Sequence, residues 1–314
     1  MILVAINIHR GGGKILLDRI LRDKSGENIS HVFSDERYPL PEGLDSSIKV
    51  IRVKPTIFSR LFAEWKLRAL SKLYPTQKIL SLTNMPPLFR LAGPTCLFLQ
   101  NALLLPGHLK YCKSTKHLVK TTVEQIILRL FLRNLDEIFI QTTWMKEKVE
   151  QIFTKPIWIH PIPPEFPEIK NLEPLKIYDF IAVTGAIPYK NLNFLLQCWE
   201  SNPELKRYNL VLVVDELSHL QQQKIEHLLA LKFNVIVRQN ISHDEVYSLY
   251  EQSKTLIVTS SIESYCLPLY EAQFFGLKII APQLPYVQDV EENILFFENL
   301  DQESFQLTIQ QSLN

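Results

Sequence analysis

From Val258 to Pro282 the chain reads VTSSIESYCLPLYEAQFFGLKIIAP. The apolar, β-branched run Thr255–Val258 leads into this stretch and Lys278–Ala281 closes it; both predict buried parallel strands. Between them Leu269, Ala272, Phe275 and Gly276 recur at roughly helical spacing, with Pro268 where a first helical turn tolerates it. A strand that feeds a helix N-terminus points unpaired N–H groups outward and suits an anion. Glu263 in the turn and Glu271 in the helix stand beside that place, so two carboxylates there need a reason. Spacing leaves two readings open: Glu263 caps the helix and Glu271 is solvated, or both serve a ligand.

The same alternation runs through the second half. Strands are predicted at Phe180–Val183, Leu210–Val214 and Val235–Val237, followed by helices from Asn191, over Ser218–Leu231 and over Ser242–Gln252. A last helix covers Gln302–Leu313. Strands and helices alternating at this length imply a parallel, doubly wound sheet. Lys190 lies in the turn GAIPYKN after the first of these strands, where a lysine is either simply solvated or set against an anion. Gly185 opens that turn, and Gln239 and Asn240 end a later strand.

In the first half a strand over Ile2–Ile8 is followed by His9, Arg10 and Gly11–Gly13, then a helix with Ile15, Leu16, Ile20 and Leu21 on one face. Gly12 and Gly13 allow a tight turn and a close approach of backbone to ligand. Neither the dinucleotide fingerprint nor the phosphate-binding P-loop spacing is met, so a plain turn is the other reading. Residues 29–55 alternate apolar runs with polar loops, as further strands would. Cys96–Gln100 and Glu137–Gln141 read as short buried strands, with Asn101 at the end where parallel sheets place ligands. A helix follows over Thr142–Phe153. The stretch His160–Pro167, HPIPPEFP, can continue neither helix nor interior strand, and it sets a boundary between residues 1–160 and 161–314.

Thr56–Tyr74 is a helix with Phe58, Leu61, Phe62, Trp65, Ala69, Leu70 and Leu73 at helical spacing. Arg60, Lys66, Arg68 and Lys72 share its polar side with Glu64. This is either an ordinary helix packing its stripe on the sheet, or an interfacial helix whose aromatic face enters a membrane while its cations meet anionic lipid. Lys110, Lys113, Lys116 and Lys120 form a second basic run.

Charge separates the halves more sharply than composition does. The 314 residues carry a net charge of only +1, yet residues 1–160 hold 24 Lys and Arg against 13 Asp and Glu, and residues 161–314 hold 10 against 20. The halves are therefore +11 and −10, which implies two domains with different partners, the basic one attracted to phosphate. No nucleic-acid module is present, which excludes that partner class. Hydrophobic residues at 46% suffice for real cores in a soluble chain. No signal peptide is read before the first strand, and the most apolar stretch, 88–105, is too polar to span a membrane. Four cysteines, Cys96, Cys112, Cys198 and Cys266, lack metal or paired spacing, as in a reducing cytoplasm.

The opening stretch resembles the signature of retaining glycosyltransferases of the GT-B fold, in particular glycosyltransferase family 4, the glycosyl transferases group 1. That signature runs Glu, Gly or Ser, aromatic, Gly, Leu, Pro, two variable residues, then Glu-Ala. Here it stands as Glu263, Ser264, Tyr265, Cys266, Leu267, Pro268, Leu269, Tyr270, Glu271, Ala272. Cys266 occupies a usual Gly. Lys190-Asn191 resembles the family's Lys-Asn pair, with Gly185 where an Arg is common, and Arg238 is the candidate to replace that cation. The Gly-Gly loop after the first strand resembles the family's as well. The resemblance is strong over about 180–290 and weak over 1–160.

It implies an α/β, GT-B architecture, two Rossmann-like parallel-sheet domains facing across a cleft, with Gly12 and Gly13 opposite the donor. It implies a retaining transferase moving a sugar from a nucleotide-diphosphate-sugar donor to a glycan or lipid-linked acceptor, as in cell-surface polysaccharide synthesis. Lys190 would neutralise the leaving diphosphate, Glu263 would hold donor-sugar hydroxyls and Glu271 the ribose. The amides near Cys266 and Leu267, beside Tyr265, would hold phosphate, and Gln239 and Asn240 would line the base site. The basic domain would hold the acceptor, with Asn101 near it and Arg60, Phe62, Trp65, Lys66, Arg68 and Lys72 at the inner face of the plasma membrane. No cofactor or metal is expected. The other readings are a catalytically silent GT-B-like binding or scaffold protein, suggested by Cys266 and Gly185, and a periplasmic-type binding protein, disfavoured by the missing signal peptide.

Overall fold

β1 (Ile2–Ala5) is buried along its whole length, and its alternation builds the first unit. Leu3 and Ala5 pack with Leu16, Leu17 and Leu21 of α1 (Gly11–Arg22), whereas Ile2 and Val4 pack with Ala63 and Leu67 of α2 (Ile57–Leu73). A strand covered by helices on both faces must be apolar at every position. The computed structural model describes residues 1–9, 11–22, 28–112, 114–161, 166, 175–290 and 293–313. Arg10, Lys113 of the basic run, and residues 162–165 and 167 of the proline-rich connection lie outside the described residues.

The chain divides into two compact units, Met1–Ile162 and Pro163–Asn314. The first continues with β2 (His31–Asp35), β3 (Lys49–Val53), β4 (Ile79–Ser81), β5 (Thr95–Phe98), α3 (Thr115–Phe131), β6 (Glu137–Ile140), α4 (Thr143–Glu150) and β7 (Ile157–Ile159). Its seven strands are ordered β3-β2-β1-β4-β5-β6-β7, every described pair parallel. The order reverses between β1 and β4, and in open parallel sheets ligands bind outside the carboxyl ends of the strands at such a reversal.

Two expectations change here. β1 stops at Ala5, because Ile8 N–H turns back to the Ala5 carbonyl at 3.3 Å and Asn7 takes a positive φ of 68°. Gly11, at φ +66°, then reverses the chain directly into α1, so Gly12 and Gly13 belong to the first helical turn rather than to a loop.

The second change concerns α2. Its buried side carries Ala63, Glu64, Leu67 and Ser71; of the stripe that the first reading packs on the sheet, Leu70 reaches the core, and Phe58, Leu61, Phe62, Trp65 and Leu73 face outward. Phe58, Phe62 and Trp65 are 86%, 63% and 62% exposed. Polar groups replace them inside: Glu64 Oε2 accepts from Leu88 N–H at 3.0 Å, and Ser71 Oγ accepts from Ala92 N–H at 3.2 Å. Glu64, read as part of the polar face, is thus a buried anchor for the chain that follows β4.

The second unit contains β8 (Tyr178–Thr184), α5 (Leu192–Glu200), β9 (Asn209–Val214), α6 (His219–Ala230), β10 (Asn234–Gln239), α7 (His243–Glu251), β11 (Ser253–Ile257), α8 (Leu267–Phe274), β12 (Lys278–Pro282), β13 (Ile294–Phe297) and α9 (Gln302–Leu313). The six strands are again parallel, ordered β10-β9-β8-β11-β12-β13, with the reversal between β8 and β11. Both α6 and α7 start with capping boxes, Ser218 with Gln221 and Ser242 with Glu245. Trp199, Phe180, Phe297 and Phe305 fill one core beneath α5 and α9. Phe305 and Ile309 tie α9 into that core, and Lys278 Nζ reaches the Ser312 carbonyl at 2.9 Å.

Candidate active site

At the reversal of the second sheet, the segments leaving β8 and β11 are joined to each other. Asn191 Nδ2 donates to the Thr259 carbonyl and to Ser261 Oγ, both at 2.7 Å. In return Thr259 Oγ1 donates to the Lys190 carbonyl at 2.7 Å, and Ser261 N–H donates to the Tyr189 carbonyl at 2.8 Å. Asn191 has a left-handed backbone, φ 53°, which an asparagine adopts more readily than most residues. These bonds hold the short turn Pro188–Lys190 against the loop that leads to Glu263.

The result is an ion pair across the reversal: Lys190 Nζ lies 2.5 Å from Glu263 Oε1. Burial works against the ammonium, but the Glu263 carboxylate beside it outweighs that and holds the lysine above its ordinary pKa. Lys190 is therefore fully cationic at neutral pH. Burial, reinforced by the Glu263 charge, pushes both the Tyr189 hydroxyl and the Cys266 thiol up, so neither is poised to ionise. The capping and solvated readings of the two carboxylates both fail. Glu263 pairs with Lys190, and the residue at the α8 N-cap position is Cys266.

Glu271 is almost fully buried in α8, and His243 Nε2 meets its Oε1 at 2.7 Å. His243 opens α7, which brings the end of β10 to the same group of loops. Tyr250, buried on α7, has its hydroxyl pushed well up by burial and by the nearby Glu271 charge. Such a carboxylate keeps further acceptor capacity on its second oxygen.

Cys266 takes φ 54° and ψ 65°. That left-handed conformation is what a glycine would supply without strain, and a residue bearing a Cβ holds it at a cost of about 1–2 kcal/mol. Leu267 and Pro268 follow as the first turn of α8. Tyr265 is buried, its ring stacked on Tyr270 with centroids 4.2 Å apart. Gly185 faces open space: an added Cβ would meet nothing within 4 Å. Gln239 and Asn240 are exposed at the end of β10, with Asn240 N–H bonded to Val214 O at 3.1 Å. Arg238 is on that edge strand, two strand positions from β8, and the structure does not bring it beside Lys190.

In the first unit, the corresponding reversal gathers side-chain amides and an imidazole. Asn84, after β4, has a positive φ of 62°, and its Oδ1 accepts from Gln100 N–H at 2.5 Å and Asn101 N–H at 2.9 Å. Asn101 Oδ1 in turn accepts from Leu103 N–H at 3.0 Å, capping a short helical turn. Gln100 Oε1 is 3.9 Å from a Cβ built on Gly13. His9 Nδ1 and Gln100 Nε2 are buried with no hydrogen-bond partner among the described residues. Among those residues no group of three or more His, Cys, Asp or Glu is placed to hold a metal ion.

Thr259, Ser261 and His243 position the site but carry no motif of their own, whereas Asn191 does so from within the Lys190-Asn191 pair.

Two Rossmann-like parallel-sheet units, one with a lysine–glutamate pair at its reversal, define a doubly wound α/β class of fold. Residues 166–314 match the model of the family Glycosyl transferases group 1. A search of curated proteins found no match by sequence. Among solved structures, the chain is similar to a sucrose-phosphate synthase from Thermosynechococcus elongatus, at TM-score 0.75 and 14% identity, covering 99% of this chain and 89% of that one. It is similar to WaaG, a glycosyltransferase involved in lipopolysaccharide biosynthesis, at TM-score 0.73 and 15% identity, covering 100% and 90%. A trehalose-6-phosphate synthase studied for glycosyl transfer with retention matches at TM-score 0.64 and 12% identity, covering 100% and 90%. The fold of the chain is that of these GT-B glycosyltransferases.

Proposed function

We propose that the protein moves a sugar from a nucleoside-diphosphate-sugar donor to a glycan or lipid-linked acceptor, with retention of anomeric configuration. The observation that carries this reading is the Lys190–Glu263 pair at the reversal of the second sheet, inside the segment matched to Glycosyl transferases group 1. The lysine offers a permanent cation to the diphosphate, neutralising the charge that grows as the nucleoside diphosphate departs. As the phosphate takes over the lysine, Glu263 becomes free to accept from donor-sugar hydroxyls. Glu271, held by His243, accepts from the ribose hydroxyls, for which an ionised carboxylate is a natural bidentate acceptor. The first amides of α8, at Leu267, add dipolar stabilisation for phosphate, and Gln239 and Asn240 face the base.

No group in this arrangement is an activated nucleophile, since the buried Cys266 thiol is held neutral. Retention then follows from reaction on one face of the sugar, the departing phosphate oxygen accepting the proton of the incoming hydroxyl. The trehalose-6-phosphate synthase noted above is a precedent in fold for transfer with retention. No metal is required, because Lys190 and the helix start supply positive charge.

The acceptor belongs to the basic first unit. His9 and Gln100 offer unused hydrogen-bonding atoms at its reversal, near Gly13 and Asn101, a chemistry suited to hydroxyl-rich ligands. Its excess of cations fits a phosphate-linked acceptor at the inner face of the plasma membrane, in the synthesis of a cell-surface polysaccharide. WaaG's part in lipopolysaccharide biosynthesis supports that setting.

The test is a screen of uridine and guanosine diphosphate sugars with purified protein, following release of nucleoside diphosphate. Release from one donor, slowed about 10²–10³-fold by Lys190→Ala, is the expected result. Nucleotide binding without release from any donor would favour the second reading, a silent GT-B-like binding protein, which the strained Cys266 and the absent cation at Gly185 support.

A further inference from the structure

We infer that α2 and α3 together form one peripheral docking face for an anionic phospholipid bilayer. This rests on the reading that the first unit works at a membrane, and it adds a second helix that the basic-run pattern did not reveal. On α2 the residues turned inward are Ala63, Glu64, Leu67 and Ser71. At about 100° per residue, Phe58, Phe62 and Trp65 lie on the opposite side of the cylinder. All three are mostly exposed, and Phe62 stacks on Trp65 with centroids 6.2 Å apart.

On α3 the inward residues are Thr121, Gln125 and Leu128. Val119, Val123, Ile126 and Leu130 fall opposite them, at 58%, 48%, 50% and 60% exposure. Two helices of one unit therefore turn an apolar ridge away from the core.

The two ridges point the same way. From β3 to β4 and from β5 to β6 the chain moves in the same direction along the sheet, and right-handed crossovers place both connecting helices on the same face. One segment joins them: Leu88 N–H binds Glu64 of α2, and Asn134, just beyond α3, donates Nδ2 to the Pro87 carbonyl at 2.9 Å. Both helices begin at the carboxyl edge of the sheet, so the ridges start at the end where His9 and Gln100 lie.

Charge selects the occupant. Across α2 and α3 there are seven Lys and Arg against two Glu, and one of those, Glu64, is buried. Lys66, Arg68 and Lys72 flank the first ridge, and Lys116, Lys120 and Arg129 flank the second. Exposed aromatic and aliphatic groups rimmed by cations match the boundary between acyl chains and anionic headgroups. Among the described residues no helix is long and apolar enough to cross a membrane, so this contact is peripheral.

The test is flotation with vesicles of phosphatidylcholine, with and without about a third phosphatidylglycerol, at low and high salt. Wild type should bind only the anionic vesicles, and 1 M salt should weaken binding about tenfold or more. Phe58→Ser/Trp65→Ser on α2 and Val123→Ser/Ile126→Ser on α3 should each weaken it about tenfold. Nucleotide affinity and circular dichroism, unchanged in both variants, confirm that they fold. If the α2 variant loses binding and the α3 variant does not, the two-helix face is wrong while membrane action stands. Equal binding to both vesicle types, or none, overturns both, and donor turnover measured separately leaves the transferase reading untouched. A dimer in sedimentation velocity that the α3 variant dissociates would make α3 an interface between copies and overturn the lipid assignment.

Discussion

The two sheet reversals share a topology and are furnished in opposite ways. Beyond β8 and β11 stands an ion pair whose loops are bonded to each other. Beyond β1 and β4 stand side-chain amides and an imidazole, two of these groups having buried nitrogens that lack a partner among the described residues. A charged, braced site suits a ligand of fixed charge and shape, whereas unpaired side-chain donors and acceptors suit polyols that differ from one another by hydroxyl placement. One scaffold, repeated, thus holds an ion pair at one reversal and unpaired hydrogen-bonding nitrogens at the other.

The sharpest way to break that contrast is Lys190→Ala, which should slow transfer by about 10²–10³-fold while Lys190→Arg retains part of the rate. Initial rates of nucleoside diphosphate release measure it, and an unchanged rate would remove the charge from the mechanism. Glu271→Ala comes next. Losing hydrogen bonds to a charged group should weaken nucleotide binding by about 1.5–3 kcal/mol, or roughly 10–100-fold in Kd by calorimetry. Unaltered affinity would mean that the buried carboxylate only packs with His243.

Gly185→Arg sharpens the comparison from the other direction. Open space at that position admits the side chain, and a second cation should tighten nucleoside diphosphate binding by about tenfold. No gain, in a variant with unchanged thermal stability, would show that position 185 does not face the phosphates. The smallest effect belongs to Gln100→Ala, which should leave nucleotide affinity within about twofold while altering transfer to acceptor. A loss as large as that of Glu271→Ala would collapse the division between the two reversals, since a hydrogen bond of that size belongs with a charged partner.

The second unit is legible element by element as far as β12 because most of its strands are apolar on both faces and α6 and α7 announce their starts with Ser218 and Ser242. The first is harder. α3 escapes notice since Val119, Val123, Ile126 and Leu130 lie outside while Thr121 and Gln125 lie inside, which erases the contrast that marks a helix. α2 is visible as a helix but turned over: Glu64 and Ser71 are buried through bonds to Leu88 and Ala92, partners that no spacing encodes. β4, β7 and β13 are only three or four residues long, too short for a period to register. In the site, Lys190, Glu263 and Glu271 stand out through their motif. His243 does not, because its link to Glu271 spans 28 residues and depends on α7 lying beside α8.

The four bonds between the Tyr189–Asn191 turn and the Thr259–Ser261 loop have a consequence for the order in which entropy is lost. Loops left free in the unliganded protein must be immobilised at each binding event, subtracting from affinity every time. Here that ordering is completed once, when the unit folds, so in the proposed reaction a donor would meet a rigid receptor and each turnover would avoid the repeated loss. The backbone amide of Ser261, bonded to the Tyr189 carbonyl, should accordingly exchange its hydrogen slowly without any ligand, and nucleotide should change that rate little.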